Sequence, residues 1–247
     1  MAVKRPLLAS NRTPPANRLL AALPPDVLAR VAPAIDVIPL ELKKFLHKPG
    51  EPIHEVYFPG GGFVSIVTVL ADGRMVEVAT VGREGMLGLS AVLNGAAGKG
   101  EPPSATMVQA ETDICYRMPI GTFHGEMERR GPFHDLFTRY AQALVGFIMQ
   151  STACNAVHTV EQRLARWLLM AHDRVGKDSF PLTQEFVAMM LGAGRPTVTI
   201  VAGTLQKAGL ITYHRGHVTI VNREQLESAS CECYRATTDL LDNVTRV

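Results

Sequence analysis

The apolar residues of this chain change their period near residue 130, and that change limits what it can fold into. From residue 36 to residue 123 they come in short runs broken by glycine. The runs are Val56-Tyr57-Phe58, Phe63 to Leu70, Met75 to Val81, Thr106 to Val108 and Ile114 to Met118. The breaks are Pro59-Gly60-Gly61-Gly62, Ala71-Asp72-Gly73-Arg74, Gly82-Arg83-Glu84-Gly85 and Gly95 to Pro103. Asp-Gly between two β-rich runs signals a hairpin, because a tight two-residue turn needs φ above zero at its centre. Many short strands at this spacing predict a sandwich or barrel, and a jelly roll fits best. Ahead of them, Asn17 to Val31 reads as a short helix pair whose second member is opened by Pro24-Pro25.

Beyond residue 130 the period becomes helical. Phe133, Leu136, Phe137, Tyr140, Leu144, Phe147, Ile148 and Ser151 recur at spacings of three and four between Pro132 and Asn155. At about 1.5 Å per residue, the predicted helix is on the order of 35 Å long. It either lies across the seam between two domains or pairs with its twin in a homodimer. The length favours the second packing, with Leu136, Tyr140, Leu144, Phe147, Ile148 and Ser151 as the interface. A second helix, Thr159 to Arg174, is expected to bury Leu164, Trp167, Leu168 and Ala171.

After Gly176 the order is helix, turn, helix, hairpin. Thr183 suits an N-cap and a short helix runs on to Leu191. Gly192-Ala193-Gly194 forms a three-residue turn, and Pro196 sits in the first turn of the next helix, where its missing N–H costs nothing. Val187, Leu191, Val198, Val201 and Leu205 are the expected contact between the two helices, and Gly209 ends the second. Leu210 to Tyr213 and Val218 to Val221 then read as two strands joined by the basic turn His214-Arg215-Gly216-His217, the plan of a wing.

Net charge taken alone speaks against a nucleic-acid partner: 25 Lys and Arg against 23 Asp and Glu give only +2. Its distribution says otherwise. No acid occurs in the 38 residues from Phe186 to Arg223, which keep Arg195, Lys207, Arg215, Arg223, His214 and His217. An acid-free patch of this kind supplies the sequence-independent part of DNA affinity. Residues 1–15 have no apolar segment of the kind a secretory signal needs, no run has the 18 apolar residues of a membrane span, and four scattered cysteines make no disulfide framework. A reducing cytoplasm is the expected compartment.

The segment from Leu182-Thr183 to Ile211 resembles the Crp/Fnr superfamily of bacterial transcription regulators, with Gly192, Arg195, Thr197-Val198, Leu205 and Gly209-Leu210-Ile211 in register. The likeness runs from about Leu19 to Asn222, and the strand–glycine rhythm of the first half resembles that family's cyclic-nucleotide-binding jelly roll. The implied fold class is α+β: an N-terminal jelly roll, a long dimerisation helix and a C-terminal winged helix-turn-helix. The expected boundaries are a disordered tail at 1–16, the sensor domain at 17–130, the dimerisation helix at 131–157, the DNA-binding domain at 158–224 and a C-terminal tail at 225–247. The implied partners are double-stranded DNA, a second copy of the chain, RNA polymerase and a small effector, with no membrane.

Where the sequence departs from the family pattern, the expectations change. Relatives that hold a cyclic nucleotide carry Gly-Glu for the ribose and Arg-Ser for the phosphate, and these pairs fall here on Gly88-Leu89 and Ser104-Ala105. Without the guanidinium a buried phosphate lacks its bidentate partner. Neither cAMP nor cGMP in the usual mode is expected. Gly82, Gly88, Leu89, Ser90, Ser104 and Ala105 remain the candidate effector pocket. Iron–sulfur members need clustered cysteines near the N-terminus, and none precedes Cys115.

In the reading helix the family's Arg-Glu and later Arg fall on Arg195, Pro196 and Ile200. Arg195 can still grip a guanine edge, Pro196 cannot accept from cytosine, and Ile200 offers a thymine methyl an apolar contact. Thr183, Gln184, Thr197 and Thr204 suit the phosphate backbone, as do His214, Arg215 and His217 on the wing, and Thr199 and Lys207 complete the expected DNA-binding set. Cys231 and Cys233 are a candidate redox pair. A zinc site there would need Cys154, a histidine or a partner subunit, so none is assigned. No catalytic site is expected: a cupin-type metalloenzyme would want His-x-His, and His47, His54, Glu55 and His124 do not supply it. The remaining alternative is a sensing module that acts through protein contacts, which Pro196 and Ile200 keep open.

Overall fold

The computed structural model describes residues 5–6, 14–94 and 102–246. Strands β1 (Arg5–Pro6), β2 (Asp36–Leu40), β3 (Phe45–His47), β4 (Glu55–Pro59), β5 (Phe63–Val69), β6 (Met75–Val81), β7 (Ala105–Ala110) and β8 (Thr112–Pro119) build two antiparallel four-stranded sheets. Their orders are β1-β2-β8-β4 and β3-β7-β5-β6, and their inner faces share one core, the expected jelly roll. The glycine-punctuated runs became β4 to β8. β2 and β3 carry no clear alternation: Pro39 interrupts β2 at a register shift in its pairing with β8, where a missing N–H is tolerated, and β3 has only three residues. The tail expected at 1–16 falls largely on 1–4 and 7–13, outside the described residues. Within it Arg5–Pro6 pairs with β2.

Two short helices, α1 (Arg18–Ala21) and α2 (Pro25–Val31), precede the sandwich. Asn17 caps α1 and is fully buried, donating to Pro59 O at 2.9 Å and Gly85 O at 2.8 Å. Helices α3 (Leu89–Asn94) and α4 (Ile120–Glu128) lead to α5 (Pro132–Val157). At 26 residues α5 is about 39 Å long. Its first half seals the sandwich through Phe58, Phe123, Phe133 and Phe137, whose rings meet at centroid distances of 4.5 to 5.7 Å. Tyr140 donates its hydroxyl to Met86 O at 2.8 Å.

This packing corrects the expected dimer interface. Leu136, Tyr140, Leu144, Phe147 and Ser151 are buried within the single chain, and Ile148 is half-buried. The apolar face of α5 is wide because it covers the sandwich at one end and further helices at the other.

The second half contains α6 (Val160–Val175), β9 (Ser179–Pro181), α7 (Gln184–Leu191), α8 (Arg195–Lys207), β10 (Ile211–His214) and β11 (His217–Ile220), with the strands ordered β10-β11-β9. A Thr159–Gln162 capping box starts α6, and Leu164, Trp167, Leu168 and Ala171 are all buried. The C-terminal segment is no tail: α9 (Arg223–Ala229) and α10 (Cys233–Asp242) pack back on the chain. Leu226, Tyr234, Thr237, Leu241 and Val244 are buried, and Arg18 joins Asp242 at 2.6 Å. The last four buried positions repeat at spacings of three and four, as a packed helix requires.

The two halves dock along α6. Trp167 Nε1 donates to Glu77 Oε1 at 2.9 Å, Ser65 donates to the other carboxylate oxygen, and the indole edge meets Phe63 and Phe186. Arg174 clasps Glu84 at 2.8 Å with both side chains nearly buried. Burial pushes the Glu77 carboxyl up to about 7, against the Ser65 and Trp167 hydrogen bonds and the Arg166 and Arg174 charges.

Replacing Phe137, at the centre of the aromatic seam, with alanine is expected to cost about 3–5 kcal/mol in denaturant unfolding. The exposed Ile200→Ala should stay within about 0.5 kcal/mol. The Glu77 pKa sets a pH dependence with a definite sign. The fold holds its proton more tightly than the unfolded chain does, so this group's contribution is complete below the ordinary carboxylate value near 4.5 and is lost progressively as pH rises from there to about 7. Unfolding followed by Trp167 fluorescence should show that loss, and Glu77→Gln should remove it. Identical pH profiles for the two proteins would refute the assignment.

Candidate nucleic-acid interface

Helices α7 and α8 meet at 107°, within the range of a helix-turn-helix. Thr183 caps α7 by accepting from Phe186 N–H, and Gly192 closes it in the left-handed region at φ +58°. The left-handed φ is what asks for glycine there, since a Cβ would meet Val76 of β6 only at an ordinary contact distance of 3.4 Å. Val187, Leu191, Val198 and Leu205 form the buried contact between the helices, with Val201 half-buried beside them.

α8 turns its other side outward. Arg195, Pro196, Thr197, Thr199, Ile200, Thr204 and Lys207 are all exposed, Ile200 at 70%. Gly194 provides no side-chain cap and the first turn of α8 contains no acid. Its leading N–H groups and positive dipole end are therefore free to meet a phosphate. Arg195, Lys207 and Arg215 make no ion pair among the described residues. Thr199 is committed within the motif, donating to Gln184 Oε1 at 2.7 Å and to Arg195 O at 3.0 Å. Thr204 bonds back to Ile200 O. These bonds tie α7 to α8 and leave Gln184 and Thr199 with less capacity for DNA contact than the sequence suggests.

The wing forms as a two-residue turn, with Arg215 at φ +47° and Gly216 at φ +79°, and His214, Arg215 and His217 exposed around it. β9 adds a third strand that the sequence reading missed. Tyr213 anchors the wing by donating to Leu182 O. Arg223 turns inward from the basic run: it pairs with Asp173 at 2.7 Å and Glu227 at 3.0 Å, and donates to Tyr234.

The candidate effector residues do not line one pocket. A Cβ on Gly82 would lie 2.7 Å from Arg174 Cγ, so this glycine serves the docking of α6. A Cβ on Gly88, at φ +105°, would likewise lie 2.9 Å from Val56 Cγ1. Leu89 and Ser90 begin α3 and are half-buried, Ser104 precedes β7, and Ala105 is buried at its start. Most of the segment between them, 95–101, lies outside the described residues. An apolar cleft of about 360 Å³ instead opens between the halves, lined by Phe63, Gln109, Trp167, Phe180, Pro181 and Phe186.

The histidines weighed for metal chemistry in the sandwich do not converge. His47 is held through one ring nitrogen by Glu55 O and through the other by Thr106, while His124 bonds Ala91 O. Cys231 and Cys233 do not stand as an isolated pair: Cys154 Sγ lies 3.5 Å from Cys231 Sγ, and His158 Nδ1 lies 3.6 Å from Cys233 Sγ. The Cys154 thiol, bonded to the Cys231 sulfur, holds Cys231 down at about 6, and its own pKa rises in turn. His158 was not singled out from the sequence. Its only signal is the i, i+4 spacing from Cys154.

No single helix among the described residues is long and apolar enough to cross a membrane. The cyclic nucleotide-binding domain family matches residues 38–130 and the Crp-like helix-turn-helix domain family matches residues 162–229. No curated protein matches in sequence. Among solved structures, a CRP-family transcriptional regulator from Thermus thermophilus is 20% identical at a TM-score of 0.62, over 79% of this chain and 98% of that one. A second Thermus thermophilus regulator, of the CRP/FNR family, gives 18% and 0.63 over 78% and 97%. FixK2 from Bradyrhizobium japonicum gives 16% and 0.61 over 80% and 98%. A jelly roll, a long helix and a winged helix-turn-helix follow one another as in those structures, and the two family matches take in well over half of the sequence: the chain belongs to the Crp/Fnr superfamily.

Proposed function

We propose that the chain is a homodimeric, sequence-specific DNA-binding transcription regulator of the cytoplasm, acting with RNA polymerase. Its sensor answers a signal other than cyclic nucleotide bound in the usual mode. The observation that carries this reading is the outward face of α8: an unpaired Arg195 at an uncapped helix N-terminus, with no acid in the first turn and the basic wing alongside. Arg195 reads a guanine edge in the major groove, Ile200 meets a thymine methyl, and Thr197, Lys207 and the wing hold the backbone. The sensor lacks the guanidinium that a cyclic phosphate needs, with Ser104-Ala105 in its place.

The dimer forms through the face of α5 that the chain leaves open. Thr138, Gln142, Val145, Met149, Thr152 and Ala156 follow one another at spacings of four and three, the seam of a two-stranded coiled coil. Val145 is 41% and Met149 67% exposed, apolar surface that a twin helix would cover. Pairing there places two α8 helices on one side of the assembly, and binding requires them to match half-sites about 34 Å apart. A signal acts by changing how α5 and the sandwich hold that separation.

Two measurements test this. Arg195→Ala should cost about 1–3 kcal/mol on the preferred site and relax one of its positions, whereas equal loss on random DNA would remove the base-reading role. Met149→Glu should shift the protein from dimer to monomer in sedimentation and abolish binding to the full site. A charged variant that still sediments as a dimer would place the interface elsewhere.

A further inference from the structure

The C-terminal end of α5, the break before α6 and the start of α10 bring four metal-ligating side chains together. Cys154 lies near the end of α5, His158 is its C-cap, and Cys231 and Cys233 flank Glu232, the N-cap of α10. Their ligand atoms all lie within 4.8 Å of one another. The three sulfurs are buried, at 0%, 3% and 1% residue exposure, and His158 is half-buried over them. We propose that Cys154, His158, Cys231 and Cys233 bind one tetrahedral divalent ion of the zinc class.

Distances, histidine orientation and charge support this independently. Zinc–sulfur bonds of about 2.3 Å and zinc–nitrogen bonds of about 2.0–2.1 Å give a tetrahedron with S···S edges of about 3.8 Å and S···N edges of about 3.6 Å. The Cys154–Cys231 and Cys233–His158 separations are 3.5 and 3.6 Å. The imidazole is also turned for ligation. Nδ1 faces the sulfurs, while Nε2 lies 3.2 Å from the Glu232 carboxylate, the outer partner that fixes a ligating histidine's tautomer. Three thiolates around a divalent ion carry a net charge of −1. Arg166, 5% exposed, acts electrostatically on both Cys154 and Cys231, and its Nε and Nη1 have no hydrogen-bond partner among the described residues. Arg163 lies beside it, also buried, with an unpartnered Nε.

Three sulfurs and one imidazole suit zinc by ligand softness. The compactness of the set suits one ion, since thiolates around a multi-iron cluster spread over several metal centres. Binding takes one divalent ion and releases the protons of whichever thiols are protonated. It joins α5 to α10 across the break between α5 and α6, so the ion fixes the joint between the long helix and the DNA-binding half.

The test uses the full-length chain, reduced and stripped of metal. Titration with cobalt(II) should reach saturation at one ion per chain, with thiolate charge-transfer absorption and the d–d bands of a tetrahedral site, and zinc should displace it. Cys233→Ser and His158→Ala should lose that spectrum while circular dichroism shows them folded. Glu232→Gln, which leaves all four ligands in place, should weaken zinc about 10–100-fold. Cys115→Ser, altered in β8, should bind as the parent does. An octahedral cobalt spectrum, no uptake by the reduced parent chain, or unchanged binding by the folded Cys233 and His158 variants would overturn the proposal. So would a visible chromophore containing inorganic sulfide, or a Cys154–Cys231 disulfide in the purified protein that yields no metal-binding site once reduced.

Discussion

One buried contact holds the two halves of this protein in register: the Trp167 indole against the Glu77 carboxyl, with Arg174 closing on Glu84 a short distance along the same helix. Neither pair is a surface ion pair of small value. Each sits between the sensor sheet and α6, where water is excluded and an unpaired partner would be costly. The geometry around them depends on that closeness. Gly82 lacks a side chain where Arg174 crosses, and a Cβ there would lie 2.7 Å from Arg174 Cγ.

In the proposed function, this contact is the physical route from sensor to DNA. β6 carries Glu77, the loop after it carries Glu84, and both grip the helix that leads directly into α7 and α8. A change in the sandwich that moved β6 would therefore move the reading helix without passing through a flexible linker. α5 is sealed to the sandwich by the Phe123, Phe133 and Phe137 rings, and the break at His158 separates it from α6. Two structural devices thus bear on one joint, the Glu77–Trp167 dock on one side and the cysteine–histidine cluster on the other.

Local signals carried most of the fold into the sequence. Thr183, Gly192 and Pro196 mark the helix-turn-helix because a cap, a left-handed stop and a helix-opening proline each act within a few residues. Asp72-Gly73 marks a hairpin for the same reason. Partner choice was far less legible. The periodicity of α5 shows that an apolar face exists but not what covers it, so Leu144 and Phe147 read as a dimer seam when they belong to the chain's own core. The charged residues around Tyr234, Thr237 and Leu241 hid a packed helix. Gln184 and Thr199 look like free polar groups until the 107° crossing brings them together. The cysteine–histidine cluster joins two local pairs, Cys154 with His158 and Cys231 with Cys233, that lie 73 or more positions apart, a proximity that only the fold creates.

The central claim is that the exposed faces of two α8 helices read one DNA site together. Selecting binding sequences from random double-stranded DNA with the full-length protein tests it most directly. The account predicts enrichment of a two-fold symmetric site whose half-sites lie about one helical turn apart, with affinity that falls steeply as salt rises. Recovery of no preferred sequence, or of a site bound equally well at low and high salt, would contradict it.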